Sequence, residues 1–197
     1  MKKKFFIIVF CILALTQNSF SYSSDPKIFI QEIVDEAKKI LVATNSKEFK
    51  TKALSEMALK TVDIKGVAYY TLGKYRKELS DEQMEKYLEL FEKYFLKSFT
   101  SRLTDYSDPK IDVISADVLN EKYTIVKSLL LATDKKPEVK IEWRVYTKNP
   151  EKPLIRDLII EGLSLARTQK EEFASVIQSN NGDVTKLFDT LNQFISK

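Results

Sequence analysis

Histidine is absent from this 197-residue chain, and cysteine, tryptophan and glycine are scarce. There is one cysteine, Cys11, and one tryptophan, Trp143, with four glycines and five prolines. Without histidine the chain has no imidazole proton switch and cannot form zinc sites of the usual kind. Ser-His-Asp and Cys-His catalysis are excluded for the same reason. An enzyme built on this sequence would have to use carboxylate, lysine or tyrosine chemistry.

The first 21 residues have the anatomy of a secretory signal peptide. Three lysines at positions 2–4 precede an uninterrupted apolar run at residues 5–15, and Ser19-Phe20-Ser21 follows as a small-residue cleavage pattern. The run is shorter than the roughly 20 residues that a membrane-spanning helix needs. Cys11 lies inside the run and not at the cleavage pattern, so we expect no lipoprotein anchor. We therefore predict a signal peptide at residues 1–21, cleaved near Ser21.

The charge balance changes once this segment is removed. The chain has 32 basic and 28 acidic residues, and loss of the three lysines leaves 29 against 28. Most of the excess positive charge therefore lies in the predicted signal peptide, and it gives no reason to expect nucleic acid as a partner. Residues 22–197 contain no second apolar run of membrane-spanning length and no low-complexity linker. We predict that they form a single domain.

The first half of this domain has the pattern of helices. Asp25-Pro26 combines a capping side chain with proline at the first helical position, which predicts a helix start. Further helices are expected over residues 46–62 and 66–76. A capping box at Ser80 begins the clearest helix. The apolar residues of that helix recur at helical spacing: Met84, Leu88, Phe91, Phe95 and Phe99.

The second half changes to the two-residue period of strands. Residues 139–146 alternate apolar with polar side chains, and Ile141 and Trp143 fall on the apolar side. Residues 110–119, 122–132 and 154–161 are three more β-rich runs, separated by turn residues. Because two helices close the chain, we predict an α+β domain with a four-stranded antiparallel curved sheet between N-terminal and C-terminal helices. The periodicity leaves open whether the sheet closes on a packed core or leaves a cavity.

Several short motifs occur in the order and spacing of a known family. They are Val62-Asp63, Leu72-Gly73-Lys74-Tyr75-Arg76, Ser80-Asp81-Glu82-Gln83, Phe91, Tyr94, Tyr106, Trp143-Arg144, Asp157, Glu161-Gly162-Leu163-Ser164, Phe173 and Ile177. This series, which covers about residues 28–195 behind a signal peptide, resembles the MlaC family of periplasmic phospholipid-binding proteins, also called the toluene-tolerance auxiliary family.

The resemblance implies a fold, a cargo and partners. The expected fold is related to the nuclear-transport-factor-like cone, with a deep apolar cavity for acyl chains. The implied role is to carry phospholipid through the periplasm between an outer-membrane lipoprotein complex and an inner-membrane ABC transporter with its substrate-binding protein. Such transport would maintain the lipid asymmetry of the outer membrane. We expect a monomer that binds phospholipid as cargo and has no cofactor, metal or catalytic group.

Apolar residues from the helices and strands are the candidate lining of the lipid pocket. They are Leu72, Phe91, Phe95, Phe99, Ile125, Leu129, Ile141, Trp143 and Ile159. Each also fits an ordinary core, and three phenylalanines on one helix are more often core than ligand contacts. In a lipid carrier the core and pocket interpretations are compatible, because side chains of the core also line the ligand.

Three carboxylates support an alternative interpretation as an enzyme. Asp63, Asp157 and Glu161 attract attention because cone-shaped folds host carboxylate-based isomerases and dehydratases. We expect instead that Asp157 is a salt-bridged strand end and that Glu161, before Gly162, joins the last strand to a helix.

Two further questions stay open from the sequence. Lys65, Lys74 and Arg76 could meet a lipid phosphate or form a solvated helix face. A periplasmic adaptor with a filled core is the other alternative, and phospholipid in a solvent extract of the protein would distinguish a carrier from it.

Overall fold

The computed structural model describes residues 21–104, 106, 108–134 and 137–197. The predicted signal peptide, except Ser21, lies outside the described residues. No helix within the described ranges is long and apolar enough to cross a membrane. The described elements, in chain order, are α1 (Pro26–Val42), α2 (Lys47–Thr61), α3 (Ile64–Leu72), a 3₁₀ turn (Gly73–Lys77), α4 (Asp81–Leu103), β1 (Ile111–Asn120), β2 (Tyr123–Leu130), β3 (Val139–Tyr146), β4 (Leu154–Ile160), β5 (Leu163–Ser164), α5 (Leu165–Ser179) and α6 (Thr185–Ser196).

The helix starts follow the capping residues in the sequence. The Asp25 carboxylate accepts hydrogen bonds from two amides in the first turn of α1, and Pro26 is the first residue of that helix. Ser80 and Gln83 form the predicted capping box at the start of α4. The third helix is shorter than expected, because Gly73 has a φ of 55° and ends α3. The chain continues from there as the 3₁₀ turn.

The sheet is antiparallel throughout, with the strands in chain order β1-β2-β3-β4-β5. The α+β class is confirmed, but the prediction of four strands is wrong, because β5 pairs with β4. Glu161 and Gly162 join β4 to β5 and have φ values of 48° and 82°. Two successive left-handed residues make the tight turn of a hairpin. The returning strand has two residues, too few to show a period of two.

The register of β2 and β3 defines one face of the sheet. Val126 lies opposite Trp143, and Ser128 lies opposite Ile141. Paired residues of neighbouring strands point to the same side. We call the side formed by Thr124, Val126, Ser128, Ile141, Trp143 and Val145 the inner face. It packs against α1 and α2, where Phe29, Ile33 and Leu54 are buried.

The buried side chains form two separate clusters. The sheet core joins the inner face to α1 and α2. The helical core joins α3, α4, α5 and α6 around Leu72, Phe91 and Ile177. Helix α4 belongs to both, because Phe95 packs against the helical core and Phe99 against the sheet core. We call the region between the two cores along α4 the seam. The cone-like shape and the cavity stay predictions.

Candidate functional site

A column of aromatic rings runs along α4. Tyr87, Phe91, Phe95 and Phe99 follow one another at intervals of four residues, which places them on one side of the helix over about 18 Å. Neighbouring ring centroids are 5.8, 6.3 and 5.9 Å apart. The Phe95 and Phe99 rings are nearly parallel, with 8° between their planes. The column thus connects the helical core to the sheet core through continuous ring contacts.

Burial decreases along this column. Tyr87 and Phe91 are 0% and 2% exposed, whereas Phe95 and Phe99 are half-buried. The half-buried rings lie where α4 leaves the helical core and reaches the inner face. Phe95 and Phe99 are therefore less completely packed than Tyr87 and Phe91.

Trp143 is held in place on the inner face by Ser128. The Trp143 Nε1 atom donates a hydrogen bond to Ser128 Oγ at 2.8 Å, and that hydroxyl donates to the Ile141 carbonyl at 3.3 Å. The polar atom of the indole is thereby satisfied, and its ring packs against the sheet core while remaining half-buried. Trp143 and Ile141 share the inner face, as their alternation predicts.

Six of the nine predicted lining residues are divided between the two cores and the inner face. Leu72 and Phe91 lie in the helical core, Phe95 packs against it, Phe99 and Trp143 pack against the sheet core, and Ile141 is on the inner face.

Three predicted lining residues lie on the opposite face of the sheet. Ile125, Leu129 and Ile159 are opposite Arg144, Lys140 and Glu142, respectively. A shift of one residue moves a side chain to the other face of a sheet. The inner-face residues of β2 are Thr124, Val126 and Ser128, of which two are polar, so hydrophobicity alone favoured residues of the other face. Val126 and Val145, which are fully buried on the inner face, were not among the predicted lining residues.

Two hollows on the described surface lie away from these residues. One, of about 370 Å³, is lined by Tyr22, Glu32, Asp35, Glu36, Lys39 and Lys60. The other, of about 220 Å³, is lined by Leu59, Lys60, Val62, Asp63, Ile64, Lys65, Glu92, Lys152 and Leu154. None of the predicted lining residues borders either hollow. The acyl-chain cavity therefore stays a prediction.

Asp157 connects β4 to the start of α5. Its carboxylate is 6% exposed and accepts hydrogen bonds from the Ser164 hydroxyl at 2.7 Å and the Ala166 amide at 3.0 Å. Arg144 Nη1 lies 3.3 Å from the same group. The expected salt bridge is present, with Arg144 of β3 as the partner, but Asp157 lies in the middle of β4 and not at a strand end. These contacts occupy the carboxylate in holding two elements together.

Asp63 has a similar structural role between α2 and α3. One carboxylate oxygen accepts from the Gly66 amide at 2.9 Å and caps α3, while the other is 2.6 Å from Arg156 Nη2. The guanidinium of Arg156 in turn lies 3.6 Å from the centre of the Tyr146 ring. Across the described part of the chain, no group of three or more His, Cys, Asp or Glu residues is arranged to hold a metal ion.

The fold has a counterpart among solved structures. A phospholipid-binding protein from Ralstonia solanacearum, solved in complex with a phospholipid, matches with a TM-score of 0.72 at 18% sequence identity. The match covers 88% of this chain and 97% of that one. At such low identity the likeness establishes a shared fold. The fold is therefore one that is known to accommodate a phospholipid in another protein.

The sequence comparisons identify the family. The chain is 24% identical to the intermembrane phospholipid transport system binding protein MlaC of Haemophilus influenzae, over 98% of this chain and 95% of that protein. The MlaC protein family model matches residues 31–193. The chain therefore belongs to the MlaC family, as the order of its sequence motifs predicts.

Proposed function

We propose that this protein is a soluble periplasmic phospholipid carrier. It would shuttle lipid between an outer-membrane lipoprotein complex and an inner-membrane ABC transporter with its substrate-binding protein, and so maintain the lipid asymmetry of the outer membrane. The observation that carries the proposal is the family match over residues 31–193. The named relative from H. influenzae and the phospholipid complex of the R. solanacearum protein support it.

The energetics of acyl chains explain why a carrier needs a dry pocket. Burying one CH₂ group contributes about 0.8 kcal/mol, so an acyl chain of about sixteen carbons is stabilised by about 12 kcal/mol relative to water. A bilayer offers nearly the same free energy. An apolar pocket can therefore exchange lipid with a membrane-bound partner near equilibrium, whereas release into water is strongly opposed.

The seam is the proposed acyl-chain site. Phe95, Phe99, Ile141 and Trp143 would contact the chains, with Leu72 and Phe91 at the end that lies in the helical core. The half-burial of Phe95 and Phe99 supports this placement, because a bound chain would complete their burial. Lipid would enter where the two cores meet along α4, and the side chains of Phe95 and Phe99 would change rotamer to admit it.

The protein needs no catalytic group for this role. Asp63 and Asp157 are engaged in capping and ion pairs, which supports a binding protein over a carboxylate enzyme. We further propose that residues 1–21 are removed on export and that residues 22–197 act as a monomeric lipid-binding domain. Its nearly neutral charge supports delivery through protein partners rather than nucleic acid or bare anionic membranes.

Organic extraction of the purified protein tests the proposal. The full chain is expressed with its leader, recovered from the periplasmic fraction, and extracted for phospholipid analysis by mass spectrometry. We expect phospholipid in stoichiometric amount and an N-terminus near residue 22. A folded periplasmic protein without phospholipid would instead support the adaptor with a filled core.

A further inference from the structure

A basic surface lies at the end of the molecule formed by α3 and α5. Lys65 is on α3, Lys74 and Arg76 are on the 3₁₀ turn after it, and Lys170 is on α5. Within the described residues, none of these four cations takes part in an ion pair. We define the basic face by its cations and the rings beneath them: Lys65, Lys74, Arg76, Lys170, Tyr69, Tyr70 and Tyr75.

The charge of this surface is concentrated in one stretch of sequence. Residues 64–77 contain four basic residues and three tyrosines, with no aspartate or glutamate. In the whole chain, by contrast, 32 basic residues are nearly balanced by 28 acidic ones. A solvated helix face ordinarily mixes both signs of charge. Lys65 borders a hollow that Asp63 and Glu92 also line, but the stretch itself carries only positive charge, which suits a surface that faces negative charge.

Tyrosine rings hold the cations of the basic face. Lys65 Nζ and Arg76 Cζ lie 5.8 and 5.9 Å from the centre of the Tyr69 ring, so two cations share one ring. Lys170 Nζ lies 5.2 Å from the Tyr70 ring, and Lys74 Nζ lies 5.1 Å from that of Tyr75. Such contacts restrict long side chains before any partner binds. Less rotational entropy is then lost on docking.

Gly73 allows Lys170 to join this surface from a distant helix. A Cβ atom at position 73 would lie 2.8 Å from Lys170 Cε, so a larger residue there would displace the lysine side chain. Gly73 also has a positive φ of 55°, which other residues rarely adopt. One glycine therefore ends α3 and lets Lys170 cross its C-terminal end. The position of Lys170 in the basic face therefore depends on the absence of a side chain at Gly73.

We propose that the basic face docks an acidic surface of a protein partner. This inference rests on the proposed carrier function and names the docking surface that it requires. Tyrosine and arginine are enriched in protein interfaces and among their most important contacts. Insertion into a bilayer would need exposed aliphatic side chains, but Val118, the most exposed large apolar residue in the described ranges, lies on β1. A protein surface is therefore the better fit.

The basic face adjoins one end of the proposed lipid site. Leu72 lies between Tyr70 and Gly73 in the sequence, and its side chain is 1% exposed in the helical core. A partner on the basic face would thus contact the helix end that carries a proposed lining residue. Docking there brings the partner close to the helical end of the seam.

Charge reversal with a matched control tests the basic face. The test variant is Lys65→Glu/Lys74→Glu/Arg76→Glu, and the control is Lys27→Glu/Lys52→Glu/Lys110→Glu, which changes the net charge equally at exposed positions elsewhere. Binding is measured by calorimetry against the purified soluble domains of the proposed inner-membrane and outer-membrane partners. We expect at least a tenfold weaker affinity of the test variant for one partner. The control and Lys65→Arg/Lys74→Arg should stay within about twofold of the parent.

Three outcomes would overturn the inference. They are equal affinities of the test and control variants, no binding of the parent to either partner, and flotation of the parent with phosphatidylglycerol vesicles that the test variant loses. The last outcome would make the basic face a membrane contact. Copurified phospholipid is measured in every variant. If the parent retains lipid, a negative docking result concerns the basic face alone, whereas absence of lipid from the parent contradicts the carrier function.

Discussion

Phe95 and Phe99 stack nearly parallel on α4, with 5.9 Å between ring centroids, yet they pack against different cores. The contact between them is therefore where the helical core meets the sheet core. In the proposed carrier, we expect an acyl chain in the seam to contact both rings. It would cover the apolar surface that the two side chains leave exposed, which favours binding.

A charge in the seam should abolish lipid retention. In Phe99→Glu a carboxylate would face the acyl chains, and burying an unpaired charge costs several kcal/mol. Phe49→Glu is the matched control, because Phe49 is 53% exposed on α2. We expect the phospholipid-to-protein ratio to fall several-fold in Phe99→Glu and to stay unchanged in the control. Phe99→Ala tests the same contact if the glutamate variant does not fold. A folded Phe99 variant with a full complement of lipid would contradict the placement of the site.

Removal of the Trp143 hydrogen bond should destabilise the protein without unfolding it. Trp143→Phe removes the donor to Ser128 Oγ, and Ser128→Ala removes the acceptor. Ser128→Ala should lower the free energy of unfolding by about 1 kcal/mol, because the indole N–H loses its partner. Trp143→Phe should lower it further, because the smaller ring also loses packing against the sheet core. Urea denaturation of both single variants and the double variant measures the coupling. Strict additivity would show that the hydrogen bond contributes nothing.

Asp157 should matter for stability and not for lipid binding. Asp157→Ala leaves the Ser164 hydroxyl, the Ala166 amide and Arg144 without their acceptor, at a cost of about 3 kcal/mol. Asp63→Asn keeps a side chain that caps α3 but loses the charge opposite Arg156, so its effect should be smaller. Both variants, purified at low temperature, should retain phospholipid. Loss of an enzymatic turnover in either folded variant would revive the interpretation as an enzyme.

Stability should fall at alkaline pH because of Tyr87. Burial raises the pKa of the Tyr87 hydroxyl above its ordinary value of about 10, and the contact with Thr71 acts in the opposite direction. Above pH 10 the unfolded state therefore releases a proton that the folded state keeps. This stabilisation is complete below pH 10 and declines by up to about 1.4 kcal/mol per pH unit above it.

Tyr87→Phe is the variant that isolates this effect. It removes the hydrogen bond to the Ala68 carbonyl, so it should be less stable than the parent at pH 8. Its unfolding free energy should then decrease less steeply between pH 10 and pH 11. Identical slopes for the two proteins, measured by urea denaturation across this range, would show that Tyr87 does not titrate differently on unfolding.

The helix starts and the order of elements could be predicted because they depend on local chemistry. Asp25, Ser46 and Ser80 each accept an amide hydrogen bond from the first turn of the helix that follows, and such contacts need only neighbours in sequence. Strand β5 was missed since two residues show no period. It depends on the positive φ values of Glu161 and Gly162, which sequence periodicity does not report.

The candidate site was predicted less completely than the fold. Phe91, Phe95 and Phe99 were correctly aligned by helical spacing, and the strand period placed Ile141 with Trp143. Assigning a face to β2 and β4 requires the register between strands, which depends on contacts distant in sequence. Thr124 and Ser128 are polar although they lie on the inner face, so the hydrophobic pattern of β2 alone favours the opposite face.

The single tryptophan can report directly whether acyl chains occupy the seam. Trp143 is the only indole in the chain, so its fluorescence reports on the inner face alone. The protein is loaded with phospholipid whose acyl chains carry bromine, which quenches an indole at close contact, and is compared with the same lipid without bromine. We expect strong quenching of Trp143 by the brominated chains. Stoichiometric binding of the brominated lipid with unchanged Trp143 emission would contradict an acyl-chain site in the seam.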